Sequence, residues 1–449
     1  MTPTWVTRRQ AIQLAGMTAL GAAFPLAAQQ PDYSLEIAPF TIEASPRHRY
    51  KTFAYNGQVP GPLIRLKEGH PVTIDVHNRS SHEEIVHWHG LFLPSQIDGA
   101  MEEGTPMIPP GGKARYTFTP RPGGARWYHT HVRAGDDLSR GLYSGLLGFL
   151  MIDLESDPGR YDQEAFVVLH DLGGQLLASD DGSMNPSYEV STINGRVMGY
   201  GEPLRVRAGQ HLLLHVLNAS PTEVHWIALA GHSMQVISLD GNPVPQQKIV
   251  TMLRLVPAER ASVIIKLNHP GVWILGEVRK HVQASGMGMI VEYAGSAGEP
   301  QWQQPQQLIW DYAQFADAPS SQAAPEATEI PLVFTPKFAG HGALDHWAIN
   351  GKSFPDTDSP TFIQGRRYRL IFRNHSTDDH PVHLHRHSFE VVRIASGPRL
   401  RGLVKDTILV AAGTDVVVEL TADNPGPTLF HCHQQDHMDM GFMMLFRYA

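Results

Sequence analysis

Residues 69–78 read GHPVTIDVHN, and the same frame returns as GQHLLLHVLN at 209–218 and GRRYRLIFRN at 365–374. In each copy an asparagine follows the glycine by nine residues, and the apolar run between them reads as a strand. An Asn-Gly dipeptide, a strong tight-turn signal, precedes each copy at Asn56-Gly57, Asn194-Gly195 and Asn350-Gly351. The 41 Gly and 34 Pro, with almost no long helical periodicity, agree with an all-β chain of many turns. Three copies of one β unit, each of roughly 120 to 150 residues, predict three similar β-sandwich domains.

The repeats differ in what they carry. Nine residues past Asn78 and Asn374 stand His87 and His383, each opening a His-x-His: His87-Trp88-His89 and His383-Leu384-His385. The same offsets in the middle repeat give Ile227 and Leu229. A second pair follows a Pro-Gly turn near the end of the outer repeats, His129-Thr130-His131 and His431-Cys432-His433, where the middle repeat offers Leu275-Gly276-Glu277. With 25 histidines, chance supplies about one such pair. Four at matching repeat positions are not explained as satisfied core or surface histidines. Residues i and i+2 of a strand share a face, so the outer repeats converge eight imidazoles on one cavity, enough for about three metals with open positions.

The only cysteine, Cys432, lies between two of these histidines in HCHQQDH, residues 431–437. On a strand its side chain faces away from His431 and His433, so one tripeptide serves two centres. His380, off the face of His383 and His385, and His437, past a turn, complete a thiolate and two imidazoles. That soft set is typical of an electron-transfer copper.

The N-terminus carries Thr7-Arg8-Arg9-Gln10 ahead of an Ala/Leu/Gly run and small residues at Ala27 and Ala28, which reads as an export leader of the twin-arginine type. The run is too short for a good membrane span. One cysteine excludes an intramolecular disulfide, and a net charge of −8 without basic clusters gives no reason to expect nucleic acid. The expected organisation is a leader at 1–30, domains at 31–155 and 156–297, a Gln/Pro/Ala-rich linker at 298–330 that wraps one domain or is partly disordered, and a last domain at 331–449.

HWHG at 87–90, WYHTH at 127–131, HPVHLHRHSF at 380–389 and HCHQQDHMDMGF at 431–442 closely resemble, in order and spacing, the four copper motifs of the multicopper oxidases. The resemblance runs from about residue 35 to the end. It implies three cupredoxin-like Greek-key domains and four copper ions. His380, Cys432 and His437 would hold the type 1 copper, and His87 and His383 the type 2. His89, His129, His131, His385, His431 and His433 would hold the type 3 pair. The partners it implies are dioxygen and a small reducing substrate, a phenol or aromatic amine as in laccases, with Cu(I) or another metal ion as the alternative. Met438, Met440, Met443 and Met444 lend the alternative some support, although such residues more often serve packing. A copper-free exported scaffold is disfavoured by the complete ligand set, and a two-domain nitrite reductase by the six type 3 histidines. The expected state is an exported monomer, periplasmic or extracellular, without stable membrane insertion.

Three positions depart from the commoner family pattern. Phe442 stands where many members place an axial methionine, with Met443 facing away on a strand. Arg386 stands where many have glycine, its charge either tuning the coppers or pointing to solvent. Met438 stands where several bacterial members carry a glutamate associated with proton delivery, so a two-carboxylate relay does not carry over. Asp98 matches the family's acidic residue near the trinuclear cluster and is the expected proton donor, while Asp98-Gly99 is equally a turn dipeptide.

Overall fold

The computed structural model describes residues 30–154, 161–178, 184–305, 310–317, 326–338 and 344–449. Of the expected leader only residue 30 falls within them. Two sheets form each domain. In the first, the sheet Arg49–Tyr55, Tyr33–Glu43, Val72–Asn78, Lys113–Phe118 packs on the sheet Ile64–Lys67, Leu147–Asp153, Gly124–Thr130, Val86–His89. Residues of both, such as Ile37, Ile74, Val86, Trp88 and Leu150, close one core. The second and third domains repeat the plan with six- and five-stranded sheets. In all three the opening strand runs parallel to the repeat strand: Tyr33–Glu43 with Val72–Asn78, Gln163–Leu172 with His211–Asn218, Thr328–Phe338 with Arg367–Asn374.

The repeated asparagines explain why the frame recurs. Asn56, Asn194 and Asn350 sit at φ of 52°, 51° and 52°, in the left-handed region that asparagine tolerates better than most residues. Their Oδ1 atoms accept the backbone N–H of Glu36, Val168 and Val333, each in the opening strand of its own domain. Asn78, Asn218 and Asn374 end the repeat strands and donate through Nδ2 to two carbonyls each: His82 and Ile108, Glu223 and Leu255, Asp378 and Val410. Each asparagine thus stitches its strand to the loop leading into the domain's other sheet.

The domains are closely joined. A continuous apolar core runs from the second into the third, bridged by Tyr312 and Phe315 of the 3-10 turn Tyr312–Phe315. That turn belongs to the segment expected as linker, and the last domain's opening strand already starts there, at Thr328. Trp127, Phe149 and Met151 pack with Val168, Leu217 and Ala258 between domains one and two, and Ala100 packs with Leu429, Met438 and Met443 between one and three. Among the described residues no helix is long and apolar enough to cross a membrane.

Candidate metal centre

Strand pairing sets the histidines opposite one another. His87 pairs with His129 across Val86–His89 and Gly124–Thr130, and His383 pairs with His431 across His380–Leu384 and Thr428–Cys432. His131, His385 and His433 follow the ends of these strands. In the middle domain Ile227 pairs with Glu277, which corrects the sequence alignment: Glu277-Val278-Arg279, rather than Leu275-Gly276-Glu277, occupies the place of His431-Cys432-His433. Glu277 stands seven residues past Pro270, as His129 does past Pro122, whereas His431 is six past Pro425. Neither register places a histidine pair there.

The two histidine pairs of domain one meet those of domain three. Their rings stack, His87 on His385 at 4.0 Å and His89 on His383 at 3.8 Å between centroids. All eight residues are buried. One trio, His131, His385 and His431, brings its Nε2 atoms together, with His385 3.1 Å and His131 3.4 Å from His431. His433 faces the other side, its ring 5.2 Å from His89 and 5.4 Å from His129.

Hydrogen bonds on the outer nitrogens point the inner ones at the cavity. His87 Nδ1 donates to the Asp98 carbonyl at 2.9 Å, His129 Nδ1 to Thr130 at 2.7 Å, His383 Nδ1 to Asp406 at 2.8 Å and His431 Nδ1 to Cys432 at 2.7 Å. His385 Nδ1 donates to Asp98 Oδ2 at 2.9 Å. His89 is reversed, its Nε2 donating to Asp406 Oδ1 at 3.2 Å. The nitrogens left over, Nε2 of His87, His129 and His383 and Nδ1 of His89, are buried without a partner among the described residues. Burial first, then neighbouring imidazoles, hold His89, His129, His131, His385 and His433 well below the usual histidine pKa. Burial likewise depresses His431 and His383 to about 3. These seven rings are neutral, and lone pairs that close repel unless a cation lies between them, so the site fits metal ions.

The thiolate set also assembles. Cys432 Sγ lies 3.8 Å from His380 Nδ1 and 3.5 Å from His437 Nδ1, and those nitrogens are 3.1 Å apart. Burial pushes the Cys432 thiol well up, so a cation is needed to hold it as thiolate. His437 keeps 7% exposure, the only opening of this trio to solvent. Phe442 packs against His380 at 4.8 Å between ring centroids, while Met443 turns to the domain-one side. Trp347, unmarked by any motif, covers both imidazoles at 4.6 Å.

Several functional neighbours lay outside the sequence reading. Asp406 is fully buried and accepts from Arg260 at 2.8 and 2.6 Å and from Arg126 at 3.4 Å while holding His89. Burial opposes its ionisation, but the guanidinium of Arg260 keeps it well below the usual carboxylate range. Around it Asp240, Glu259 and Lys405 complete a buried cluster drawn from all three domains. Glu103, raised well above its ordinary pKa by burial and by Asp98, accepts the Leu429 N–H at 2.6 Å. Asp98 ends the helix Ser95–Asp98, and Gly99 at φ 104° lets that turn approach domain-one backbone so closely that a Cβ would lie 2.0 Å from the Val86 carbonyl. Its turn role and its place beside the histidines therefore coexist. Met438 lines a small cavity with His131, His431, His433 and Gln435, leaving that wall without a carboxylate. Arg386 does not reach solvent: it is buried and donates to backbone carbonyls, which corrects the solvent-facing expectation for it.

Multicopper oxidase family models match residues 37–157, 170–291 and 328–449. The chain is 30% identical to the multicopper oxidase MmcO of Mycobacterium tuberculosis, over 87% of this chain and 82% of that protein. It is 25% identical to Laccase-4 of Thanatephorus cucumeris, over 84% and 82%. A crystal structure of a multi-copper oxidase from Pseudomonas thermotolerans matches with a TM-score of 0.72 and 25% identity, covering 93% of this chain and 98% of that one. Three linked domains, eight converging imidazoles and these matches make the chain a member of the multicopper oxidase family, an oxidoreductase that uses oxygen.

Proposed function

We propose that the chain is a laccase-like oxidase that takes single electrons from a phenol or aromatic amine. The observation that carries this reading is the pair of neutral, inward-aimed donor sets on the two faces of His431-Cys432-His433. Copper at His380, Cys432 and His437 (type 1), at His87 and His383 (type 2) and at the other six histidines (type 3), four ions in all, would supply the chemistry: one-electron oxidation of the donor and four-electron reduction of dioxygen to water. The type 3 set divides in space into His131, His385 and His431 on one side and His89, His129 and His433 on the other.

The chain's own residues have distinct tasks. His437 presents the partly open edge at which a small donor docks. Cys432 links through its own backbone to His431 and His433, the shortest covalent route between the two sets. Asp406 and the Asp98 carbonyl orient His89, His383 and His87, and their burial excludes bulk water. Asp98 Oδ1, buried and without a partner among the described residues, is where a proton is held for reduced oxygen. Phe442 packs its ring against His380 and offers no ligand atom to the thiolate set.

An organic donor is favoured over a metal ion because the nearby thioethers are taken up by packing. Met438 and Met443 sit in the contact between domains one and three, and Met444 in the third domain's core. Steady-state rates of copper-loaded protein on a phenol, an aromatic diamine and Cu(I) test this. Higher kcat/KM on Cu(I) than on either organic donor would contradict it. The Arg8-Arg9 leader supports export of the folded chain, and replacing both arginines by lysine should leave the protein in the cytoplasmic fraction.

A further inference from the structure

Arg386 follows His385 and holds φ at 60°, a left-handed conformation in which a side chain is strained. Something must compensate, and the guanidinium supplies it. It is buried, with relative exposure of 1%. Nε donates to Leu93 O at 2.8 Å. Nη1 donates to Gly426 O at 3.1 Å, Pro427 O at 2.7 Å and Thr428 Oγ1 at 2.9 Å. Nη2 donates to Asn424 O at 3.1 Å and Pro425 O at 2.8 Å. Asn424 Nδ2 reinforces the contact, donating to Leu93 O at 3.1 Å and Arg386 O at 3.0 Å. A planar fork of five donors can satisfy so many carbonyls at once, and an ammonium cannot.

The acceptors lie on stretches that carry the imidazoles. Leu93 is in the domain-one loop between His89 and Asp98. Residues 424–428 lead directly into Thr428–Cys432, and Arg386 is itself the residue after His385. The stacked pairs His87–His385 and His89–His383 cross between domains that no covalent bond joins at this point. The His380, Cys432, His437 set, by contrast, lies wholly within domain three.

We propose that Arg386 is a positioning residue that clamps domain one to domain three across the imidazole cluster and so sets how tightly the cluster retains its metals. The proposal rests on the copper reading above. It separates from a general packing role because it concerns one set of metals and not the other. Copper-loaded wild type, Arg386→Gly and Arg386→Lys are incubated with a chelator, and loss of the blue band is followed beside loss of the non-blue paramagnetic signal and total copper. Glycine relieves the backbone strain, and lysine keeps the charge and the strain while losing the fork. In both variants non-blue copper should leave at least about 10-fold faster than in wild type, the low end of the affinity lost when support behind a metal site is removed, with the blue band lost at the wild-type rate. Wild-type release of non-blue copper from both variants would overturn the clamp. So would parallel loss of both signals together with a lowered unfolding temperature, which would mark Arg386 as general packing. A wild-type protein that takes up blue copper but none at the cluster would instead overturn the reading of the cluster itself.

Discussion

The imidazoles of His89 and His383 lie stacked 3.8 Å apart at an interplanar angle of 17°, although nearly 300 residues separate them in the chain. Asp406 explains the pairing. Its carboxylate accepts His89 Nε2–H and its carbonyl accepts His383 Nδ1–H, so one residue fixes both rings and leaves His89 Nδ1 and His383 Nε2 facing inward. A domain-one strand and a domain-three strand become two halves of one imidazole cluster.

Asp98 is expected to govern the oxygen half of the reaction. Asp98→Asn should leave reduction of the blue copper by substrate nearly intact and slow reoxidation by dioxygen by roughly 10²-fold or more. Stopped-flow reoxidation of the reduced enzyme measures this. Unchanged reoxidation with a lowered unfolding midpoint would leave Asp98 with only its turn beside Gly99.

Phe442 is expected to keep the blue copper's potential high. The ring lies against His380 and offers no donor atom, while Met443 packs on the domain-one side. Phe442→Met should stabilise the oxidised ion and lower the potential by tens of millivolts up to about a hundred, because axial ligation is a main tuning effect at such sites. Turnover of the hardest donors should fall most. Redox titration of the blue band in both proteins decides it, and an equal or higher potential in the variant would contradict the empty axial side.

His225 gives the second domain a pH-dependent tie. Burial alone would lower its pKa, but Asp171 at 2.8 Å and Glu277 at 3.2 Å raise it to about 9. A raised histidine contributes fully below its unfolded value near 6.5 and loses that contribution as pH rises through about 9. His225→Gln should therefore cost on the order of 3 kcal/mol at pH 6, at 1.36 kcal/mol per pKa unit, with the difference from wild type shrinking by pH 10. Chemical denaturation across that range measures it, and a gap independent of pH would show that His225 is neutral in the folded protein.

The candidate ligands were legible because each follows a local pattern: His87, His89, His383 and His385 at one offset from a strand-ending asparagine, His129, His131, His431 and His433 after a Pro-Gly turn, and His380, Cys432 and His437 beside those pairs. The three sandwiches were legible for the same reason, through Asn56, Asn194 and Asn350. Asp406, Arg260, Arg126 and Glu103 were not, because each reaches the site through domain packing and none sits in a spaced motif. A carboxylate between two buried arginines looks the same in sequence as one on the surface. Arg386 was visible as a departure, but its direction was not, since its partners are backbone carbonyls that carry no sequence signal. In the middle repeat Glu277 keeps repeat one's offset from the Pro-Gly turn, and the pairing of Ile227 with Glu277 fixes the same register.

The central claim, that one tripeptide serves a blue copper on one face and a three-metal cluster on the other, is tested most directly by copper analysis and visible absorption of the loaded wild type beside Cys432→Ser. The wild type should bind about four coppers and be blue from the thiolate-to-copper transition, and the variant should lose the colour and the oxidase activity while keeping the fold. A colourless wild type at full copper occupancy would contradict it.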